Sequence, residues 1–315
     1  MAKLQSTEIV GVANRPATIC SNSVCMWFDT TNGKIVFSYC DFVGSWSAGG
    51  ALITGRRLLA GAGTQNEGLA AGGLSTINVA CTEEYNGTSW AVGGALIIAR
   101  NSLAGAGTQN VGLAFGGYTN VHLSCTEEYN GTSWAVGGAL IGARRAPAGA
   151  GTQNVGLAFG GSTAPQVSIN SSEEYNGTSW TAGGALSTGR YQLAGAGTQN
   201  EGLAMGGVER FGAVSCTEEY NGTSWATGGA MITCLSSLGG AGTQNAGLVF
   251  GGSDILNCTQ EYNGTSWTEG GMLIRARRTI GGTGIQNAGL AFGGYQTLTC
   301  TEEYNRLLGI VDKKK

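Results

Sequence analysis

The sequence predicts an all-β propeller of six four-stranded blades, and three observations carry that expectation. Trp46, Trp90, Trp134, Trp180, Trp225 and Trp267 recur at spacings of 44, 44, 46, 45 and 42 residues, a period that belongs to tandem supersecondary units. Each unit holds four short strand candidates separated by glycine and asparagine turn signals. Glycine supplies 57 of the 315 residues against 3 prolines and is spread evenly, so it belongs to the fold and not to a linker.

The repeat from Ser89 to Thr132 shows the elements in order. Leu103 to Gly107 is almost wholly glycine and alanine, poor β material in isolation but suited to a strand pressed toward a crowded axis, and is placed innermost. Thr108-Gln109-Asn110 then turns the chain into Gly112-Leu113-Ala114-Phe115, whose large and small apolar side chains suit a strand packed between blades. Gly116-Gly117 and a variable segment lead to Cys125-Thr126-Glu127-Glu128-Tyr129. Period-2 alternation puts Cys125, Glu127 and Tyr129 on one face, where the glutamate is expected to meet a hydrogen-bond donor. Asn130-Gly131 reads as a type I′ hairpin turn that delivers Thr132-Ser133-Trp134 as the outermost strand, with the tryptophan over the blade edge.

Gly116-Gly117, Tyr129 and Trp134 together resemble the kelch repeat, which pairs a double glycine closing the second strand with a later tyrosine and tryptophan. The pattern recurs in phase through residues 46 to 305, and the resemblance implies a kelch-like β-propeller. The chain departs from typical kelch repeats in its glycine-alanine inner strand and shorter, more uniform unit. No BTB-like or BACK-like helical region accompanies the repeats, which counts against a ubiquitin-ligase adaptor.

Ring closure follows from a matching pair of defects. The last repeat supplies Cys300 to Tyr304 but no tryptophan strand after Asn305, while Gly44-Ser45-Trp46-Ser47 precedes the first inner strand as an orphan outer strand. Inserting that orphan into the last blade closes six blades. The alternative is seven, with Met26-Trp27-Phe28-Asp29 and Lys34-Ile35-Val36-Phe37 forming a hairpin around Thr31-Asn32-Gly33 in a degenerate N-terminal blade, and Leu307 to Val311 completing the last one. The expected organisation is an N-terminal extension over residues 1–43, the propeller over 44–305, and a C-terminal strand and basic tail over 306–315.

Composition narrows the partners. A net charge of -3 with 12% charged residues gives no electrostatic reason to expect nucleic acid or an anionic membrane. The only basic run, Lys313-Lys314-Lys315, reads as a solvated end. No window reaches the ~18 apolar residues of a membrane span, and the N-terminal stretch lacks the apolar core of a signal peptide. Cys81, Cys125, Cys216, Cys258 and Cys300 occupy one repeat position, with Ser171 in the third repeat, and are expected to be small buried side chains and not a disulfide framework. Cys20, Cys25 and Cys40 lack the spacing and the histidine of a metal site.

Catalytic chemistry is thin. The chain has one histidine, His122, and four aspartates, Asp29, Asp41, Asp254 and Asp312, and no nucleophile has a base that the sequence identifies, so no catalytic residue, cofactor or metal is assigned. The repeated pairs Glu83-Glu84, Glu127-Glu128, Glu173-Glu174, Glu218-Glu219 and Glu302-Glu303 are expected to be structural, each pairing with Arg56, Arg100, Arg144, Arg190 or Arg277. The fifth repeat breaks both halves of that pattern, with Leu235 and Gln260-Glu261. The Asn-Gly-Thr strings also satisfy the glycosylation sequon, which turn chemistry explains.

Between the double glycine and the cysteine position the repeats diverge: LSTINVA, YTNVHLS, STAPQVSIN, VERFGAV plus Ser215, SDILN and YQTLT. In an up-down blade this loop emerges on the same rim as the connection between blades, so all six segments are expected to line one face. A constant frame with divergent loops is the layout of a recognition surface, though loops also drift when nothing constrains them. Tyr118, His122, Arg210, Phe211 and Tyr295 are its exposed aromatic and polar candidates.

The stretch MWFDTTNGKIVFSY followed by GSWSAGGAL, together with the GTSW and GAGTQN repeats, resembles segments of bacteriophage tail-fibre and other virion proteins. That resemblance implies a non-enzymatic structural, decoration or host-attachment protein, located in the virion and assembled in the host cytoplasm. Its partners would be other virion proteins or a host surface glycan or receptor, with homo-oligomers open, and without nucleic acid or membrane insertion. A cellular kelch-type interaction scaffold is the alternative, and a hydrolase or oxidase the least supported.

Overall fold

A computed structural model describes residues 25–29, 34–38, 44–164 and 167–306. The chain divides into two units, Ser45–Asn305 and, separately, Met1–Gly44 with Arg306–Lys315. The larger unit is a ring of six four-stranded antiparallel blades, a six-bladed β-propeller. Its second blade shows the pattern: Ala104–Gly107 innermost, then Gly112–Phe115, Thr126–Tyr129 and Trp134–Val136 outermost.

The sixth blade joins Gly281–Ile285, Ala288–Phe292 and Thr301–Asn305 to Ser45–Gly49 from the other end of the propeller's chain, with Trp46 opposite Tyr304. Six blades, closed by the orphan strand, replace the seven-bladed alternative. Cys25–Asp29 and Lys34–Ser38 do form the expected hairpin, but as a separate two-stranded sheet. The turn 31–33, the cysteines at 20 and 40, and residues 307–315 lie outside the described residues.

The inner strands are glycine-rich because of crowding at the axis. A Cβ on Gly105 would stand 2.7 Å from the Gly61 carbonyl oxygen, and one on Gly195 would stand 2.5 Å from that of Gly149. Only hydrogen fits there. The double glycine has a different cause: both of its residues have positive φ in all six blades, as at Gly116 (64°) and Gly117 (113°), a turn that side chains resist.

The core lies between blades, and three contacts recur at every junction. Each blade's tryptophan Nε1 donates to a Thr or Ser hydroxyl of the preceding blade at 2.9 Å, as from Trp180 to Thr126 and from Trp46 to Thr259. Each tyrosine hydroxyl donates to the second glutamate of the preceding blade, at 2.6 Å from Tyr129 to Glu84. Each Thr-Gln-Asn or Ile-Gln-Asn glutamine donates to two backbone carbonyls of the preceding blade, as Gln109 does to Gly68 and Tyr85. The tryptophan therefore wedges between blades and does not cap an edge: Trp180 packs edge-on against Phe115 of the second blade at 5.0 Å between ring centroids.

Two local expectations need correction. Asn-Gly does not form a type I′ turn: Tyr129 pairs with Trp134 across four loop residues, and only Gly131 of that loop has positive φ. The Asn130 side chain captures the backbone N–H groups of Thr132 and Ser133 at 3.0 and 2.9 Å, so the hydroxyl residues after the glycine join an Asx-type turn and the outer strand starts only at Trp134. The repeated cysteines are only half-buried, and Cys216 is exposed; in the second blade Cys125 Sγ accepts from the buried Arg100.

Candidate functional site

The variable segments are built on a rigid base. In the second blade, the Arg100 guanidinium donates to the carbonyls of Gly116 (3.2 Å) and Cys125 (3.0 Å), pinning both ends of the segment between them. Glu127 holds Arg100 at 3.2 Å and also accepts from the backbone N–H groups of Ile97 (2.6 Å) and Ile98 (3.3 Å) in the incoming connection. All five expected pairs form: Arg56–Glu83, Arg100–Glu127, Arg144–Glu173, Arg190–Glu218 and Arg277–Glu302, all buried. Burial pushes the Arg144, Arg190 and Arg277 guanidiniums below their ordinary pKa while the facing glutamates push back.

The fifth blade lacks the pair: Leu235 is fully buried, and Gln260 accepts from Ile232 N–H while its Nε2 has no partner among the described residues.

Each variable segment is stitched between two connections. Tyr118 and Asn101 exchange backbone hydrogen bonds of 3.1 and 2.8 Å on one side, while Gly117 N–H reaches Arg144 O (2.9 Å) and Leu140 N–H reaches Ser124 O (2.8 Å) on the other. Equivalent bonds in the remaining blades set all six segments on the end of the propeller that carries the blade-to-blade connections. The opposite end carries the nearly constant Thr-Gln-Asn and Asn-Gly-Thr-Ser turns.

At the axis of the variable end the backbone closes on itself. Leu58, Ser102, Ala146, Gln192, Ser237 and Thr279 all take positive φ, between 49° and 56°. Their N–H and C=O groups form an unbroken circle of six hydrogen bonds of 2.7 to 3.1 Å, from Ser102 to Leu58 and round to Thr279. The circle explains why non-glycine residues accept a conformation costing about 1 kcal/mol each. Inside it is a depression of about 110 Å³ lined by apolar, hydroxyl and amide residues, among them Leu103, Ser102, Gln192 and Thr279.

The five sequence candidates all fall in the variable segments but not together. Phe211 is 94% exposed at the tip of the fourth segment, with the exposed Arg210 guanidinium 5.5 Å from its ring centroid. Tyr118 and His122 are half-buried in the second segment, rings 5.5 Å apart, and the Arg145 guanidinium stands over Tyr118. Burial first, then Arg145, pushes the His122 pKa below its ordinary value, so the imidazole stays neutral near pH 7; its Nε2 has no partner among the described residues. Tyr295, also half-buried, lies in the sixth segment beneath two guanidiniums, Arg278 at 4.4 Å and Arg57 at 5.2 Å.

Sequence reasoning missed Arg57, Arg145 and Arg278. Each follows a structural arginine in the doublets Arg56-Arg57, Arg144-Arg145 and Arg277-Arg278, and that doubling was the available signal. A guanidinium stacked on an aromatic ring is oriented while its N–H edge stays able to meet a carboxylate or another planar anion, so the arrangement is equipped for binding. Among the described residues no group of three or more His, Cys, Asp or Glu is placed to hold a metal ion.

The fold and this surface define a six-bladed propeller with one divergent and one uniform end. No protein-family model matches the chain, and no curated protein sequence matches it.

Proposed function

We propose that the chain is a non-enzymatic recognition module of a bacteriophage particle, serving in structure or host attachment and presenting its variable end to a partner. The observation that carries this reading is the confinement of divergence: junctions, inner strands and one end repeat almost residue for residue, while the six segments on the other end differ in length and chemistry. The resemblance of the N-terminal stretch and the GTSW and GAGTQN repeats to virion proteins supplies the setting. Chain topology is compatible with outward display, because Ser45 and Asn305, where the flanking segments join the propeller, pair at the uniform end.

Quantitative mass spectrometry of purified, salt-washed particles of the encoding virus tests the assignment. Peptides of this chain are expected in stoichiometry with capsid or tail proteins. Their absence from particles, with the chain recovered from host cell extract bound to a cellular protein, overturns it in favour of an interaction scaffold.

A further inference from the structure

We infer that the variable end takes an acidic protein partner, whose carboxylates are received by Arg57, Arg145 and Arg278 and whose apolar side chains cover a ring of exposed isoleucines. The inference rests on the recognition reading above and specifies its ligand.

The charge distribution points to the acid. Residues 45–305 contain ten arginines and no lysine, and five of those arginines are taken up by the buried glutamates. The other five, Arg57, Arg145, Arg210, Arg275 and Arg278, lie in connections or segments of the variable end, and none has a carboxylate within 4.0 Å among the described residues. In a chain with pI near 5.3 this is a local concentration of unneutralised positive charge. It is lopsided as well. Arg278, Arg57 and Arg145 belong to the sixth, first and third blades, whereas Glu209 and Asp254, the acids of the variable segments, belong to the fourth and fifth. The buried Nε of Arg278 has no acceptor among the described residues.

Apolar exposure points to a protein. Ile53, Ile97, Ile141, Ile232 and Ile274 hold one position in five blades, and all are more than half exposed. Each is held there because its backbone N–H donates to a buried glutamate or glutamine of the next blade, at 2.6 to 2.8 Å. Single exposed apolar side chains are ordinary on protein surfaces, but the same β-branched residue at one solvent-facing position of five blades offers a partner a repeated apolar contact. Arginine and tyrosine beside apolar groups are the composition of a protein-binding surface.

A sugar fits less well. Stacking of a pyranose needs an open aromatic face, and Tyr295 and Tyr118 are half-buried beneath guanidiniums, which leaves Phe211, 94% exposed with Arg210 over one face, as the open ring among the candidates. One open ring is likewise short of the successive stacking platforms that single-stranded nucleic acid uses.

The test is selection from a phage-displayed library of random dodecapeptides on the intact protein, run beside an array of sialylated, uronate-containing and sulfated oligosaccharides. Selected peptides are expected to be enriched in Asp or Glu together with Ile, Leu, Val or Phe. A synthetic selected peptide is expected to bind the Arg57→Ser/Arg145→Ser/Arg278→Ser variant at least about tenfold more weakly, and to weaken with salt. None of these arginines has a carboxylate partner to lose, and an unchanged melting temperature checks that the variant is folded. A Leu-for-Asp/Glu peptide that binds equally well, an absent consensus, or charge-dependent binding confined to the oligosaccharides overturns the inference. Binding that maps instead to the Asn-Gly-Thr-Ser turns, tested with Asn130→Ala/Asn176→Ala, overturns the recognition reading itself.

Discussion

Leu235 and Gln260 occupy, in the fifth blade, the two positions that hold a buried arginine–glutamate pair in the other five. Both charges are lost together, as expected when removal of one member would strand the other in the interior. Gln260→Glu alone is expected to destabilise the propeller by about 3 kcal/mol, whereas Leu235→Arg/Gln260→Glu returns to within about 1 kcal/mol of the parent. Thermal melts of the two variants check this, and equal losses in both would contradict the pairing.

Closure of the ring depends on one strand. Trp46→Ala removes a buried indole, its contact with Phe250 at 4.9 Å and its bond to Thr259, and is expected to cost about 3–5 kcal/mol. The same change at Trp134 should cost a similar amount locally, but only the Trp46 variant is expected to expose residues 301–305 early in hydrogen exchange.

Axial crowding makes glycine positions unequal. Gly105→Ala places a methyl 2.7 Å from the Gly61 carbonyl and is expected to cost about 1–3 kcal/mol. At Gly142, where the nearest atom would be 3.7 Å away, alanine should be neutral or stabilising by up to about 1 kcal/mol. Comparison of the two melting temperatures decides.

Alkaline pH should open the junctions. Burial and the bonded glutamates raise Tyr85, Tyr129, Tyr175 and Tyr262 from 10 to about 12. The folded state thus holds these protons more tightly than the unfolded chain, so the stabilisation is complete below pH 10 and is lost as pH rises toward 12. Tyrosinate absorbance and circular dichroism should change together in that window. Ionisation of all tyrosines near pH 10 with the fold intact would contradict the Tyr–Glu contacts.

Repeat period, strand order, the closing strand and the arginine–glutamate pairs were legible because each is a property of a single repeat or of its missing half. Thr126, Glu128 and Trp180 were not, since their partners sit in adjacent blades and periodicity gives the face of a side chain without what it meets. Asn130-Gly131 misled because the pair is read as backbone, while the outcome turned on an asparagine oxygen and the Thr-Ser that follow. The aromatic members of the candidate surface were visible as outliers in the divergent segments. Arg57, Arg145 and Arg278 were hidden by lying beside structural arginines, where a second charge looks like part of the frame.

Hydroxyl-radical footprinting of the chain in its native assembly, compared with the isolated protein, reads the partner-facing end directly. Protection is expected at Ile77, Tyr118, Val121, Phe211 and Tyr295 and at the isoleucines of the connections, with the Asn-Gly-Thr-Ser turns unchanged. Protection centred on those turns, with the divergent segments as reactive as before, would contradict the assignment of the variable end as the recognition surface.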